Sequence, residues 1–350
     1  MTRRQIAIVA VAIAAFGAFG AAAVATRPIL HAVPASACEF TGVERIVAIG
    51  DVHGAYDRFV GILKKTGLID EKLKWSGGTT HLVQLGDVVD RGPDSRKTLD
   101  FLQKLIKDAK SAGGRVHALM GNHEAMRLLV DFRYVTPGEY QAFVTRDSEA
   151  VRDRFLKTRP DSEHDDLLKR TPLGLLELAA AFAPDGEYGS RLRDQMAVVR
   201  INDVVFMHGG LSPAVAPQSC DAINDTVRRA LSTSANLEKT RNAPKEALAT
   251  SETGPLWYRG LAEEPDTFAP EVDKIIDAQK ARAIVVAHTV QTSGRIATRF
   301  SNKVFLIDTG MQTAYVSAGR ASALEIRGDV FTAIYEDSQE VLRKNPGHRP

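Results

Sequence analysis

Three short blocks of the sequence combine acidic, histidine and asparagine side chains with glycines. They read Gly50-Asp51-Val52-His53-Gly54, Gly86-Asp87-Val88-Val89-Asp90-Arg91-Gly92 and Gly121-Asn122-His123-Glu124. Carboxylate, imidazole and amide groups are common protein ligands for divalent cations. Glycines beside such ligands let the backbone approach closely and turn sharply. The blocks therefore predict a metal centre.

Two later histidines extend the set, His208 before Gly209-Gly210 and His288 after Val285-Val286-Ala287. Asp51 and His53 are two positions apart, so in an extended segment their side chains point the same way. A single Asp or His after a strand is more often a cap or an ordinary hydrogen-bonding residue. The full series favours ligands instead. Without thiolates it suits Zn, Mn or Fe, and it does not suit a structural zinc–thiolate site.

The elements that must position these residues alternate along the chain. Aliphatic and β-branched runs predict strands, and apolar spacing of three and four predicts helices at 55–66 and 95–110. The predicted strands are 45–50, 80–85, 115–120, 196–200, 204–208, 283–288, 295–299, 304–308, 321–326 and 330–335. Such alternation predicts an α/β fold with a largely parallel inner sheet and working loops at the carboxyl ends of its strands.

Residues 125–195 interrupt this rhythm, because they are rich in charge and helical in pattern and hold no strong strand signal. We interpret them as a helical cap insert beside the metal centre, within a domain over 43–335. Residues 232–252 predict a solvated loop with some helix, and residues 336–350 predict a flexible tail.

The first 37 residues differ from the rest. Arg3-Arg4 precedes an apolar run over 6–25, and Ala35-Ser36-Ala37 offers small residues for cleavage. This pattern is typical of a signal peptide, and its start resembles a twin-arginine signal. The alternative is an uncleaved anchor facing the periplasm, because the run is long enough to span a bilayer. We therefore expect an exported, periplasmic or secreted protein that meets a membrane only through residues 6–25.

Composition is that of a globular protein, with 44% hydrophobic and 25% charged residues and a net charge of +2. Residues 1–37 contain three arginines and no acids, so removing them changes the charge to −1. A nearly neutral chain gives no reason to expect a nucleic-acid partner. Cys38 and Cys220 could form a disulfide in an exported protein, although spacing alone does not establish their geometry.

The three blocks resemble those of the phosphoprotein phosphatase branch of the calcineurin-like metallophosphoesterases. Later segments narrow the resemblance to the Shewanella-like protein phosphatases. They are Arg133-Tyr134-Val135-Thr136-Pro137 with Glu139-Tyr140, Gly254-Pro255-Leu256-Trp257-Tyr258-Arg259-Gly260, and Asp308-Thr309-Gly310. The chain lacks the Ser-Ala-Pro-Asn-Tyr segment of eukaryotic Ser/Thr phosphatases. The resemblance implies a four-layer αββα sandwich with a dinuclear metal site.

The resemblance also implies a role for each ligand and catalytic residue. Asp51 and His53 bind the first metal ion, Asp87 bridges both, and the second is bound by Asn122, His208 and His288. A hydroxide between the two ions attacks phosphorus directly. His123 protonates the leaving oxygen and Asp90 orients its ring. Phosphate contacts are expected from Arg91, Arg259 and Asn122.

Substrate recognition is less constrained. Arg127, Arg133 and Tyr134 could contact the leaving group, as could Tyr258, although a charged outer helix face explains the arginines equally well. We expect a monomer with two divalent ions that hydrolyses phosphotyrosine, phosphoserine or phosphothreonine in proteins or peptides. The alternatives are a diadenosine polyphosphate or other nucleotide hydrolase, and a catalytically dead phospho-binding module on the same fold.

Overall fold

The structure is a computed structural model that describes residues 38–344. The predicted signal peptide or anchor lies outside the described residues. Twelve strands are described. They are β1 (Glu39–Phe40), β2 (Ile46–Ile49), β3 (His81–Gln84), β4 (Arg115–Ala118), β5 (Val198–Ile201), β6 (Val204–Met207), β7 (Ala283–Val286), β8 (Ala297–Arg299), β9 (Val304–Leu306), β10 (Ser322–Arg327), β11 (Val330–Tyr335) and β12 (Gln339–Lys344).

These strands form two sheets of six. Sheet I has the order β12-β11-β10-β2-β3-β4, and sheet II has the order β1-β5-β6-β7-β9-β8. Three neighbouring strands are parallel in each sheet, β2-β3-β4 in sheet I and β6-β7-β9 in sheet II. The other neighbours are antiparallel except β1 with β5, so the prediction of one largely parallel inner sheet is replaced by two mixed sheets.

Helices connect the strands and cover the sandwich. They are α1 (Tyr56–Lys65), α2 (Ser95–Ser111), α3 (Asn122–Leu128), α4 (Pro137–Gln141), α5 (Ser148–Lys157), α6 (His164–Arg170), α7 (Leu175–Ala181), α8 (Glu187–Arg193), α9 (Cys220–Leu231), α10 (Ser234–Asn242), α11 (Gly260–Glu263) and α12 (Ala269–Ala278), with short 3-10 turns at Asp161–Glu163 and Asp266–Phe268. None of the described helices is long and apolar enough to cross a membrane.

Alternation along the strands divides the core into layers. In β2, Ile46 and Ala48 face the space between the sheets, whereas Val47 belongs to the cluster that packs against the helices. Phe305 of sheet II stacks on Phe331 of sheet I with ring centroids 4.6 Å apart. Each fully buried aliphatic or aromatic side chain stabilises the fold by roughly 1.5–3 kcal/mol. The result is the αββα sandwich expected from the family resemblance, which confirms the fold prediction.

The segment between β4 and β5 contains the helices α3 to α8 and one 3-10 turn, and no strand is described in it. A cluster of aromatic rings packs its interior, where Phe182 stacks on Tyr188 at 5.4 Å and Phe143 contacts both. Tyr188 donates a hydrogen bond to Asp100 of α2 at 2.8 Å. The insert is therefore anchored to the helix layer outside sheet I.

The predicted tail needs correction. Residues Gln339–Lys344 form β12, which pairs with β11 and extends sheet I by one strand. Its alternation is weak, because most of its residues stay at least partly exposed. The prediction of a flexible tail from 336 was therefore wrong over β12, and residues 345–350 lie outside the described part.

Candidate metal centre

The predicted ligands lie at the carboxyl ends of the parallel strands. Asp51 and His53 follow β2, Asp87 follows β3 and Asn122 begins α3 after β4, all in sheet I. In sheet II, the corresponding ends of β6 and β7 carry the two later histidines, His208 and His288. Since carboxyl ends of neighbouring parallel strands meet at one edge, both sheets contribute to one site. All six of these side chains are buried.

Asp87 lies at the centre of this cluster. Its Oδ1 accepts a hydrogen bond from the backbone N–H of His123 at 2.9 Å, which orients the carboxylate. Its Oδ2 lies 3.3 Å from His208 Nε2 and 3.7 Å from both His53 Nε2 and His123 Nε2. Burial alone would raise the pKa of Asp87, but the surrounding histidines hold it well below its usual range. Oδ2 of Asp87 is therefore close to candidate ligands from both sheets.

The second group of ligands converges on His208. Its Nε2 lies 2.8 Å from Asn122 Oδ1 and 3.1 Å from His288 Nδ1. Bonds of about 2.0–2.2 Å to a divalent transition metal place neighbouring ligand atoms about 2.8–3.6 Å apart. The observed separations match the edges of such a coordination shell.

The histidine tautomers also suit a cation. His53 Nδ1 lies 2.9 Å from the carbonyl oxygen of Val89, and His208 Nδ1 lies 2.9 Å from that of Leu85. A carbonyl only accepts, so each Nδ1 carries the hydrogen and each Nε2 keeps a lone pair. Burial lowers the pKa of His53 to about 4 and that of His288 to about 2, so both rings are neutral at pH 7.

Two overlapping triads could each hold an ion, with all ligand atoms of a triad within 4.8 Å of one another. They are His53–Asp87–His123 and Asp87–His208–His288. The residues therefore fit two cations that share Asp87. The first triad includes His123, to which the sequence assigned proton donation, and omits Asp51. Asp51 is nevertheless close, since its Oδ2 lies 3.7 Å from His53 Nε2.

Asp308 is a buried acid of the site that the sequence did not single out as a ligand. It follows β9, and its carboxyl lies within hydrogen-bonding reach of Asp51. Its Oδ2 has no hydrogen-bond partner among the described residues. Burial, and then the charge of Asp308, raises the pKa of Asp51 well above its usual value, and burial also raises that of Asp308. A cation at this position would offset both effects. The signal was present, because Asp308 ends a predicted strand like the other ligands.

His123 belongs to a buried network of hydrogen-bonded polar side chains. Its Nδ1 lies 2.6 Å from Asp90 Oδ2, and Asp90 Oδ1 accepts from Arg127, whose Nη2 also contacts Glu139 at 2.5 Å. Burial alone would raise the pKa of Asp90, but Arg127 and His123 lower it. The pKa of His123 is raised, because Asp87 and Asp90 outweigh its burial. Arg127 is 1% exposed and its guanidinium is bound to Asp90 and Glu139. The prediction that Arg127 recognises the leaving group was therefore wrong.

Glu124 has a structural role that the sequence did not reveal. Its buried carboxylate accepts hydrogen bonds from the backbone N–H groups of Gly121 at 2.9 Å, Asp87 at 2.7 Å and Val88 at 2.8 Å. These bonds fix the second block against the third. Gly121 is needed at the contact, because a Cβ there would lie 2.2 Å from Asp87 Oδ1.

Backbone strain is concentrated in the same loops. Thirteen described non-glycine residues have positive φ, and five of them are residues of the site: His53, Asp87, Asp90, Arg91 and His288. Such conformations cost roughly 1–3 kcal/mol each and persist where the surrounding structure enforces them. The loops are therefore held in a fixed geometry that favours ligand placement over local stability.

The remaining predicted residues differ in their surroundings. Arg259 donates from Nη1 to the carbonyl oxygen of His288 at 2.9 Å and to Thr289 Oγ1 at 3.0 Å, which places it beside the second triad. Arg133 is half exposed and paired with Asp131. Tyr258 packs over Gly210 and Gly260. Tyr134 contacts the site, since its ring lies 5.0 Å from that of His123.

Cys38 and Cys220 are joined as a disulfide, with Cα atoms 6.2 Å apart. The bond links the residue that precedes β1 to the first residue of α9. Cys38 and Cys220 are both buried, and β1 pairs with β5 directly beside them. The N-terminal end of the described chain is thereby fastened to sheet II.

A two-sheet sandwich with acids and histidines at the strand ends is the architecture of a metallophosphoesterase. Accordingly, residues 44–292 match the family model of the calcineurin-like phosphoesterases. Shewanella-like protein phosphatase 2 of Arabidopsis thaliana is 32% identical over 308 residues, covering 83% of this chain and 77% of the relative. Shewanella-like protein phosphatase 1 of Plasmodium berghei is 32% identical over 271 residues, covering 76% and 67%.

A comparison with solved structures gives the same family. The crystal structure of a cold-active protein-tyrosine phosphatase of a psychrophile Shewanella sp. has a TM-score of 0.67 to this chain at 32% identity, covering 87% of this chain and 82% of that one. The chain therefore belongs to the calcineurin-like phosphoesterases and, within them, to the Shewanella-like protein phosphatases. It is a metal-dependent phosphatase.

Proposed function

We propose that the chain hydrolyses phosphotyrosine, phosphoserine or phosphothreonine monoesters in proteins or peptides. One observation carries the proposal: two cation triads share Asp87 at a single edge of the sandwich, and the ring of His123, a member of the first triad, is paired with Asp90. Cations and a proton donor together are what phosphomonoester hydrolysis requires. The names of the two relatives above, which match over most of this chain, support a protein substrate.

Each residue then has a separate task. When bound, the two ions supply a Lewis acid for the phosphoryl oxygens and lower the pKa of a water molecule. His53, Asp87, Asn122, His208 and His288 would hold them, with Asp51 beside the first. His123, oriented by Asp90, donates a proton to the leaving oxygen. Arg91 binds phosphoryl oxygens, and Arg259 is a second candidate for that contact.

A panel of substrates tests the proposal. Mn-loaded protein is assayed with phosphotyrosine and phosphothreonine peptides, p-nitrophenyl phosphate and diadenosine tetraphosphate, beside Asp87→Asn as a matched inactive control. We expect peptide turnover by the wild type alone. Exclusive turnover of the dinucleotide would instead favour the nucleotide hydrolase. Activity no higher than that of Asp87→Asn would favour a dead binding module.

His123 requires its own test, because its Nε2 faces Asp87 Oδ2 like the ligands do. For His123→Asn we expect both metal ions to remain, with kcat reduced about 10²–10⁴-fold on alkyl phosphates and much less on p-nitrophenyl phosphate, whose leaving group needs little protonation. Elemental analysis and a leaving-group series measure this. Loss of one ion would make His123 a ligand.

We further propose that the native ions are drawn from Mn, Fe and Zn, since the ligand set mixes nitrogen and oxygen without thiolate. Elemental analysis of protein purified from its own cell without added metal identifies them. A content dominated by Mg or Ca would contradict the proposal, because those ions prefer oxygen ligands alone.

We also propose that the chain is exported. The signal-like pattern of residues 1–37 supports this, and so does the Cys38–Cys220 disulfide, since such bonds persist in oxidising compartments. Cell fractionation and N-terminal sequencing test it. We expect a periplasmic protein with a processed N-terminus; an intact N-terminus in the membrane fraction would favour the anchor, and an intact cytoplasmic protein would refute export.

A further inference from the structure

The guanidinium of Arg91 lies between two tyrosine rings. Its Cζ is 3.8 Å from the ring centroid of Tyr315 and 4.6 Å from that of Tyr134. The backbone reinforces one side, because the N–H of Arg91 donates to the carbonyl oxygen of Tyr134 at 3.0 Å. Both tyrosines are exposed on their outer sides, Tyr134 by 39% and Tyr315 by 48%. Neither ring is therefore placed there by core packing alone.

Apart from the two tyrosine rings, no described side chain pairs with the guanidinium of Arg91. Within residues 38–344, no carboxylate forms an ion pair with it, and its buried Nε has no hydrogen-bond partner. Most other arginines near the site are paired, as Arg127 is with Asp90 and Arg133 with Asp131. An ion pair would occupy the donors that a phosphate needs, whereas an aromatic face contacts the guanidinium plane and leaves its N–H edges free.

The two rings also place the guanidinium beside the first triad. Tyr134 contacts His123 at 5.0 Å and Tyr315 contacts His53 at 6.2 Å, between ring centroids. The positive charge of Arg91 is close enough to His53 to be one of the causes, after burial, that lower the pKa of that ring. Arg91 thus sits at the mouth of the metal centre, between the first triad and solvent.

We propose that Tyr134 and Tyr315 are positioning residues that hold the Arg91 guanidinium between their rings, with its free N–H edge directed at the phosphoryl group over the metal centre. The proposal rests on the phosphatase function proposed above. It assigns a role to Tyr315, a residue outside every predicted motif, and changes that of Tyr134 from contacting the leaving group to orienting Arg91. The charge of Arg91 is thereby kept uncompensated until phosphate binds.

Inorganic phosphate provides a probe that does not depend on the protein substrate. For Tyr315→Leu we expect its inhibition constant and the KM for p-nitrophenyl phosphate to rise about fivefold to tenfold, the size of one cation–π contact. We expect Tyr315→Phe, which keeps the ring, to rise less than twofold. Metal content and kcat should change little in both, since the ligands and His123 are untouched. Equal effects of Leu and Phe would overturn the proposal.

A double-mutant cycle with Arg91→Ala separates positioning from other roles. In that background we expect Tyr315→Leu and Tyr134→Leu to leave the phosphate inhibition constant unchanged, because nothing remains to be oriented. An undiminished effect would show that the rings act independently of Arg91 and would overturn the proposal. If no phosphopeptide is turned over, the substrate proposed above fails, but the phosphate and p-nitrophenyl phosphate measurements still decide the role of the tyrosines.

Discussion

Two buried carboxylates of the site, Asp51 and Asp308, lie close to each other. Burial disfavours their charged forms, and in Asp51 the charge of its acidic neighbours adds to this. Bound cations reverse both effects, so these two residues lower stability without metal and raise it with metal. Metal binding and folding are therefore coupled through individual side chains.

Substitution of Asp308 isolates one of these acids. We expect Asp308→Asn to stabilise the metal-free protein, by about 1.4 kcal/mol for each unit by which the fold raises the pKa of Asp308. It should also reduce the stability gained on adding Mn²⁺. Thermal unfolding with and without metal measures both quantities. A variant that loses stability equally in the two states would show that Asp308 acts through packing instead.

The location of a residue at the site was predictable for most side chains that end a strand, because strand ends can be read locally. Asp51, Asp87, His208 and His288 all fall in this class. Glu124 and Tyr315 do not, since the role of each depends on distant partners. Tyr315 is far from Arg91 in the sequence, and no local pattern marks the contact between them.

At the scale of elements, a buried hydrogen-bond network connects Asp90, which orients His123, to helices α3 and α4 of the helical insert. Arg127 of α3 neutralises Asp90 and also binds Glu139 of α4. We expect Arg127→Met to destabilise the protein by about 3–5 kcal/mol, because two acids would stay buried without a counter-charge. Denaturant unfolding measures this. The matched exposed variant Arg133→Met should cost less than about 1 kcal/mol, and equal costs would contradict the account.

A second histidine pair joins β3 and β4, where Nε2 of His117 lies 3.1 Å from Nδ1 of His81, the first residue of β3, and both rings contact Phe40. Burial lowers the pKa of His117 to about 3 and that of His81 to about 4. The unfolded chain therefore binds protons below about pH 6.5 that the fold does not, and stability falls as pH decreases through that window.

Replacing one member of the pair tests this sign. Between pH 7 and pH 5 we expect metal-free wild-type protein to lose about 2 kcal/mol more than His117→Leu, because the variant has one buried histidine fewer. Urea unfolding at the two pH values gives the difference. Identical losses would mean that His117 does not contribute to the pH dependence.

The fold was predictable to within a few residues for ten of the twelve strands, since each carries a strong β-branched or alternating run. The exceptions were β1, which has two residues held by parallel pairing with β5, and β12, whose composition is polar. Both depend on partners distant in sequence. Strand direction was also unpredictable, because pairing between β2 and β10 joins residues about 280 positions apart.

At the scale of the whole molecule, one covalent bond spans a large part of the chain. The Cys38–Cys220 bond closes a loop with a sequence separation of 182. Chain-entropy reasoning assigns such a loop up to about 5 kcal/mol of stabilisation. We expect the paired substitution Cys38→Ser with Cys220→Ser to lower the unfolding midpoint, and reductant to lower that of the wild type alone. Thermal unfolding measures this, and a midpoint insensitive to both changes would contradict it.

The second triad and the neighbouring Asn122 offer ligands from both sheets, with Asp87 and Asn122 from sheet I and His208 and His288 from sheet II. An ion held by all four links the two sheets, and its ligands are lost when the sheets separate on unfolding. We expect the unfolding midpoint of the metal-free protein to rise with the concentration of added Mn²⁺, which thermal unfolding measures. The ions that perform the chemistry then also hold the two halves of the sandwich together, so metal shortage weakens the fold as well as the activity.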